Sequence, residues 1–252
     1  MSGHSKWAGI KHKKAIVDAK RGQVFTKVAR EITVATREGG NDVDGNFRLR
    51  LAIQKAREVN MPADNIERAI QRGVGGKEGA QLEDIRYEGY GPHGVAVMVD
   101  VLTDNRNRTV AALRNMFTRS GGSLGESNTV AWMFRQEGVL RLAAGDADPE
   151  ELALEVLDAV DVGEEGDVAV DGGTVQITVA PARFEEVRRT LEGRGYTVES
   201  ADVTMSPSTS VAVDAKQAPA VLRLLDALEE HDDVQQVYAN AEIPNDVLES
   251  VG

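Results

Sequence analysis

The spacing of apolar residues changes once along this chain of 252 residues, and the change separates two kinds of structure. Between Gly22 and Gly73 apolar residues recur every three or four positions, which indicates amphipathic helices. Residues 74–81 are rich in glycine and typical of a flexible boundary. Beyond them apolar residues alternate every second position, which indicates strands. We therefore predict an α+β fold with a helical N-terminal part.

The helical part predicts a bundle of three short helices. The first helix ends at Gly39, because glycine commonly follows a helix C-terminus. The second begins at Asn46, whose side chain is well suited to cap a helix. Pro62 stands at the start of the third helix, and Gly73 closes it.

The remainder predicts two α/β sandwich domains, one inserted in the other. Six elements between residues 138 and 204 follow the βαββαβ order of a ferredoxin-like sandwich. The strand, helix and strand after residue 206 are too few to stand alone, so we predict that they complete the unit begun at residues 82–133. The predicted domains are a basic mobile arm (1–20), a basic helical bundle (21–77), a discontinuous α/β domain (78–133 plus 206–252) and an acidic inserted ferredoxin-like domain (134–205).

Charge is divided unevenly between the two ends of the chain. Residues 1–77 hold 16 Lys and Arg against 8 Asp and Glu, a net charge of +8. Residues 78–252 carry a net charge of −20, which gives −12 for the whole chain. A basic segment on an acidic protein indicates a polyanionic partner, and nucleic acid is the commonest one. The alternative is a solvated basic surface that has no ligand.

Several classes of site lack sequence support. The chain has no cysteine, which excludes disulfides, thiolate metal sites and cysteine nucleophiles. Its four histidines have no spacing typical of metal ligands, and there is no G-x-S-x-G nucleophile motif. We therefore predict no enzyme activity, no metal and no cofactor. Without an apolar run of 18 residues or a signal-peptide core, we expect a cytoplasmic protein with no membrane partner. Because nothing in the sequence indicates a symmetric dimer that reads two half-sites, we expect a monomer.

Two glycine-rich turns, residues 87–94 and 121–125, carry or precede aromatic residues. These aromatics could stack on bases, or they could belong to the core. The second turn precedes residues 130–134, which we predict to be a strand. Because large apolar residues are usually buried, we expect Trp132 and Phe134 to be core residues.

Long motifs in this sequence resemble those of the YebC/PmpR family. They are GHSKWAGIKHKK (3–14), DAKRG (18–22), FTK (25–27), NMPADNIERAI (60–70), YEGYGP (87–92), DNRNRT (104–109) and VAWMF (130–134). The resemblance covers essentially the whole chain and implies a helical bundle with two α/β domains, one inserted in the other. Family members are usually labelled DNA-binding transcriptional regulators. A mitochondrial relative activates translation of cytochrome c oxidase subunit I, and bacterial relatives are implicated in relieving ribosome stalling at proline-rich stretches.

These observations predict a non-enzymatic, nucleic-acid-binding regulator of gene expression whose target is DNA or ribosomal RNA. The residues expected to bind are Lys6, Trp7, Lys11, His12, Lys13, Lys14, Lys20, Arg21, Lys27, Arg48 and Lys55. Their cationic side chains would contact phosphates, Trp7 would stack or wedge, and His12, with His4, would donate hydrogen bonds. The alternative is a protein-interaction module that uses the acidic α/β domains, with ribosomal proteins among its partners.

Overall fold

The structure is a computed structural model that describes residues 18–75, 82–145, 147–171, 173–244 and 247, with side chains from residue 22 onward. Most of the predicted arm (1–20) and of the predicted boundary (74–81) lies outside these residues. The chain divides into two compact units. The first is Met1–Met133 with Thr209–Gly252, and the second is Phe134–Ser208.

The helices and strands are numbered in chain order. The helices are α1 (Asp18–Gly39), α2 (Phe47–Glu58), α3 (Ala63–Val74), α4 (Arg106–Arg119), α5 (Pro149–Ala159), α6 (Phe184–Gly193) and α7 (Ala218–Glu229). The strands are β1 (Glu83–Tyr90), β2 (Ala96–Thr103), β3 (Ser123–Leu124), β4 (Phe134–Ala143), β5 (Asp167–Asp171), β6 (Thr174–Val179), β7 (Val198–Pro207), β8 (Val211–Ala212), β9 (Val234–Ala239) and β10 (Ala241–Glu242).

The N-terminal bundle is formed by α1, α2 and α3, as predicted. Asn46 caps α2 by accepting a hydrogen bond from the Leu49 N–H at 3.0 Å. Helix α1 begins at Asp18, four residues before the predicted start at Gly22. Glycine at position 73 allows α3 to approach α1 closely, because a Cβ there would lie 2.5 Å from the Thr36 Cβ.

The first unit also contains a four-stranded antiparallel sheet in the order β3-β1-β2-β9. Strand β9 follows the second unit in the chain, yet it pairs with β2, which precedes that unit. The sheet is therefore assembled from both sides of an insertion, as the sequence predicts. One apolar cluster joins α4 and α7 to the sheet, and it includes Leu113, Phe117, Leu222, Val99 and Val237.

The second unit is the ferredoxin-like sandwich that the sequence predicts. Its antiparallel sheet has the order β5-β6-β4-β7, so the first and third strands of the βαββαβ unit lie at the centre. Helices α5 and α6 complete the unit. The side chains of Val156 on α5 and Leu191 on α6 are fully buried, as is that of Ile177 on β6.

Residues 130–134 do not form the predicted strand. Ala131–Met133 is a turn of 3₁₀ helix, and β4 begins only at Phe134. Phe134 is buried, as expected, but Trp132 is 69% exposed, so the prediction of a core role for Trp132 is wrong. The physical reason is a long-range contact from Glu88 to this turn, which the local apolar pattern does not contain.

Candidate nucleic-acid interface

The structure describes only part of the predicted nucleic-acid-binding set. Residues 1–17 lie outside the described residues, and with them Lys6, Trp7, Lys11, His12, Lys13 and Lys14. Lys20 and Arg21 belong to the first turn of α1, but their side chains are not described. The remaining three, Lys27, Arg48 and Lys55, all contact other parts of the protein.

Lys27 lies on a face of α1 that contacts the end of α7. Its Nζ donates a hydrogen bond to the carbonyl oxygen of Glu229, one of the last residues of α7. A cation at this position complements the negative end of the helix dipole. One turn earlier, the Gln23 amide donates to Asp232 Oδ1 at 2.9 Å. The face of α1 that carries Lys27 is therefore engaged within the protein.

Asp233 is the centre of the contact between α1 and the sheet-containing part of the unit. Its side chain is 3% exposed and accepts hydrogen bonds from Arg30 on α1 at 3.1 Å and Arg108 on α4 at 2.8 Å. Thr109 adds a hydrogen bond at 2.7 Å and Thr103 another at 3.3 Å. Because these donors come from α1, α4 and β2, one buried carboxylate fixes three elements together.

The electrostatics of this junction oppose protonation. Burial raises the pKa of Asp233, but hydrogen bonds from Arg108 and Thr109 outweigh it, and the net result is a pKa below the ordinary value. His231 accepts the Asp233 backbone N–H at Nδ1, at 3.1 Å. Burial lowers the pKa of His231, and the nearby carboxylates oppose that shift only partly. The neutral imidazole is the form that can accept this hydrogen bond.

Arg48 and Lys55 on α2 are paired with acidic residues. Arg48 binds Glu38 at 2.7 Å and Asp84 of β1 at 2.6 Å. Lys55 lies 3.5 Å from Glu31 of α1. The structure therefore pairs both cations with carboxylates of the same chain, in ion pairs that stay partly exposed to solvent.

The positive charge of the N-terminal module is concentrated before residue 22. Residues 22–75 hold 9 Lys and Arg against 7 Asp and Glu, a net charge of +2. Residues 1–21 hold 6 against 1, a net charge of +5. By sequence, the bundle itself is thus nearly balanced, and most of the module's excess positive charge belongs to residues 1–21.

A second exposed feature is the turn of residues 125–132, which we call the Glu88-bound turn. The buried Glu88 carboxylate accepts hydrogen bonds from the backbone N–H groups of Asn128, Val130 and Ala131, each at 2.8 Å. The Glu88 carbonyl accepts a further hydrogen bond from the Gly125 N–H at 2.8 Å. Sequence reasoning did not single out Glu88. The sequence signal was a glutamate in the second half of a predicted strand. The structure shows that Glu88 and the residues on either side of it are buried.

The Glu88-bound turn displays Trp132. The indole Nε1 donates to the Thr129 carbonyl at 3.2 Å, and the Thr129 hydroxyl donates to the Glu126 carbonyl at 2.6 Å. Asn128 adopts a positive φ of 67°, a conformation that asparagine tolerates better than most residues. The indole is thus held at one edge while most of its surface faces solvent.

Within the described ranges, no group of three or more acidic or histidine side chains is arranged to hold a metal ion. No helix in that same part of the chain is long and apolar enough to cross a membrane.

Together, the N-terminal bundle, the discontinuous sandwich and the inserted ferredoxin-like unit match two family models. The model "TACO1/YebC protein N-terminal domain" matches residues 5–76, and "TACO1/YebC second and third domain" matches residues 82–241. The chain belongs to the TACO1/YebC family.

Relatives resemble this chain along its full length. A protein of Shewanella oneidensis is 52% identical over 252 residues, and one of Dictyoglomus thermophilum is 48% identical over 251 residues. Each comparison covers 100% of both chains, and both relatives are named "Probable transcriptional regulatory protein". The crystal structure of a conserved hypothetical protein from Aquifex aeolicus superposes with a TM-score of 0.83 at 48% identity, covering 94% of this chain and 96% of that one. Both named relatives thus carry the name of a probable regulatory protein.

Proposed function

We propose that this protein is a non-enzymatic regulator of gene expression that binds nucleic acid through its N-terminal arm. The observation that carries the proposal is the distribution of charge. Residues 1–21 have a net charge of +5, whereas the basic side chains of the bundle are largely balanced by acids. Cations that neutralise phosphates release counterions, and this release supplies affinity without reading sequence.

The docking of α1 supports the arm as the binding element. Gln23, Lys27 and Arg30 attach α1 to the segment of residues 229–233. The helix that follows the arm in the chain is therefore anchored to the rest of the first unit. A basic segment that orders on binding, and that starts from a rigid support, suits a structured RNA surface.

We favour ribosomal RNA as the target over duplex DNA. A helix that reads a DNA groove needs its basic face free to contact phosphates and bases. On α2, Arg48 and Lys55 are instead paired with carboxylates of the same chain. Transcriptional regulation through duplex DNA is the second candidate, and the name that the relatives carry supports it.

Co-sedimentation with ribosomes tests the proposal. The wild-type protein and a Lys11→Ala/Lys13→Ala/Lys14→Ala variant are compared at about 150 mM salt, where the screening length is roughly 8 Å. Lys216→Ala serves as the matched control, because Lys216 is exposed and lies outside the bundle. We expect the wild type and the control to stay bound in excess duplex DNA, and the triple variant to be released.

Two results would change this conclusion. If the triple variant sediments as the wild type does, the arm is not the binding element. If modest amounts of duplex release the wild type, and different duplex sequences do so with different efficiency, the transcriptional candidate replaces the ribosomal one.

A further inference from the structure

Trp132 is exposed although its sequence neighbours are not. At 69%, it is the most exposed of the large hydrophobic side chains that the structure describes. Val130, two residues earlier, is fully buried, and Phe134, two residues later, is 7% exposed. An indole left in water forfeits the stabilisation that burial of its large apolar surface would give. The exposed position of the Trp132 side chain therefore depends on hydrogen bonds within the rest of the turn.

The turn maintains it through a rigid hydrogen-bond network. Three backbone N–H groups of the Glu88-bound turn converge on one buried carboxylate at 2.8 Å. Hydrogen bonds to an ionised acceptor are roughly twice as strong as neutral ones. Trp132 is joined directly to Ala131, one of these three donors, and its own N–H is held by Thr129. A side chain presented in this way loses little conformational entropy when a ligand binds it.

The surroundings of Trp132 favour a planar polar ligand over an apolar protein surface. Three exposed residues of the same turn, Glu126, Ser127 and Asn128, are polar, whereas Ala131 and Met133 on either side of Trp132 are half-buried. In the first unit, Val74 of the bundle is the other exposed large hydrophobic residue among those described. Protein hot spots lie in apolar patches that exclude water, and an isolated indole on a polar turn lacks such a patch. Because Nε1 is already hydrogen-bonded, the free surface of Trp132 is the aromatic face.

We propose that Trp132 is a stacking platform for an unpaired nucleobase. This site rests on the proposed function and extends it, since it would give the nucleic acid held by the arm a second contact that depends on unpaired bases. Stacking on an aromatic side chain accepts every base, because each base has a π-face. The Glu88-bound turn positions the platform, and Trp132 touches the ligand.

The intrinsic fluorescence of Trp132 provides the test. The chain has two tryptophans, so a Trp7→Phe protein retains Trp132 as its single indole. This protein is titrated with a single-stranded oligo(U) probe of about 16 nucleotides, a length within the site sizes known for stacking proteins. Fluorescence anisotropy of the labelled probe is recorded in parallel. We expect quenching of Trp132 emission with the same midpoint as the rise in anisotropy.

Substitution separates stacking from other contacts. Trp132→Ala should weaken oligo(U) binding by about 5- to 150-fold, the range that corresponds to the loss of one stacked base. The log–log salt slope should stay unchanged, because no phosphate contact is lost. Trp132→Phe should bind more tightly than Trp132→Leu, since only phenylalanine retains an aromatic face. Val74→Ala is the control for loss of an exposed apolar side chain and should bind as the wild type does.

Four outcomes would overturn the proposal. Probe binding without any change in Trp132 emission would exclude stacking and leave the proposed function intact. Equal affinities for Trp132→Phe and Trp132→Leu would indicate a simple apolar contact. A smaller salt slope in Trp132→Ala would indicate that phosphate contacts were lost instead. If the wild-type protein binds neither oligo(U) nor ribosomes, both the platform and the proposed function fail.

Discussion

Substitution of Glu88 should destabilise the protein, and the hydrogen bonds of the Glu88-bound turn determine by how much. In the wild type, one carboxylate oxygen accepts the N–H of Asn128 and the other accepts those of Val130 and Ala131. Glu88→Gln keeps the shape of the side chain but replaces one acceptor oxygen with an NH₂ donor. If the amide oxygen serves Val130 and Ala131, the new NH₂ group faces the Asn128 N–H, and the two donors cannot pair.

The expected loss of stability is about 2–4 kcal/mol. A hydrogen bond to a charged group contributes about 1.5–3 kcal/mol and a neutral one about 0.5–1.5 kcal/mol. Two of the three hydrogen bonds would thus weaken by about 1 kcal/mol each, and the third would be lost and leave donors without an acceptor. Because such contributions are not fully additive, the total lies below their simple sum.

Urea denaturation followed by far-ultraviolet circular dichroism measures this loss as a lower midpoint with an unchanged slope. Glu126→Gln is the matched control: it makes the same substitution in the same turn, but Glu126 is exposed. The control should change the free energy of unfolding by less than about 0.5 kcal/mol. Equal effects of the two substitutions would refute the reasoning, because the effect would then come from net charge and not from the buried hydrogen bonds.

Three further predictions concern the junction and the bundle. Asp233→Asn should lower the free energy of unfolding more than Asp104→Asn in urea, because the Asp233 side chain is 3% exposed and that of Asp104 is 42% exposed. Thermal stability should fall as pH decreases below about 6.5, because the pKa of His231 is lower in the folded protein and the unfolded chain therefore binds a proton at higher pH. His231→Gln should flatten this dependence of thermal stability on pH. Gly73→Ala should destabilise the protein by about 1–3 kcal/mol in urea by forcing α3 away from α1, whereas Gly22→Ala, with open space around it in a helix, should stabilise it by about 0.5–1 kcal/mol.

For each of these three predictions, one experimental result would contradict it. Equal losses for the two aspartate substitutions would mean that the buried junction adds nothing beyond a surface ion pair. An identical pH profile in His231→Gln would place the titration elsewhere. If Gly73→Ala is tolerated as well as Gly22→Ala, the close approach of α3 to α1 is wrong.

Local sequence signals predicted the elements whose stability is decided locally. The cap at Asn46 acts within its own turn and lies where the spacing placed it. Gly73 was predicted to close α3, but it lies inside the helix, which continues to Val74. The βαββαβ order of residues 134–207 was readable because apolar alternation marks each strand separately. The exact limits of the four domains stay a prediction.

Contacts between distant residues explain what the sequence did not reveal. Lys27 on α1 and Arg48 on α2 are charged residues of two amphipathic helices. Nothing near either residue in the sequence indicates whether its partner is a phosphate or a carboxylate. The structure pairs Arg48 with Asp84 and places Lys27 on the carbonyl of Glu229, 202 positions later. In the same way, Glu88 decides the conformation of residues 128–131, and its effect on Trp132 has no local signature.

The central claim is that the N-terminal arm binds nucleic acid through its lysines, and the salt dependence of binding tests it most directly. The affinity of the full chain for ribosomal RNA is measured over a range of salt concentrations for the wild type and for Lys11→Ala/Lys13→Ala. Each lost phosphate contact should reduce the magnitude of the log–log slope by about 0.7–0.9, so the double variant should lose about 1.4–1.8. An unchanged slope would contradict the account, because the arm would then make no phosphate contacts through these residues.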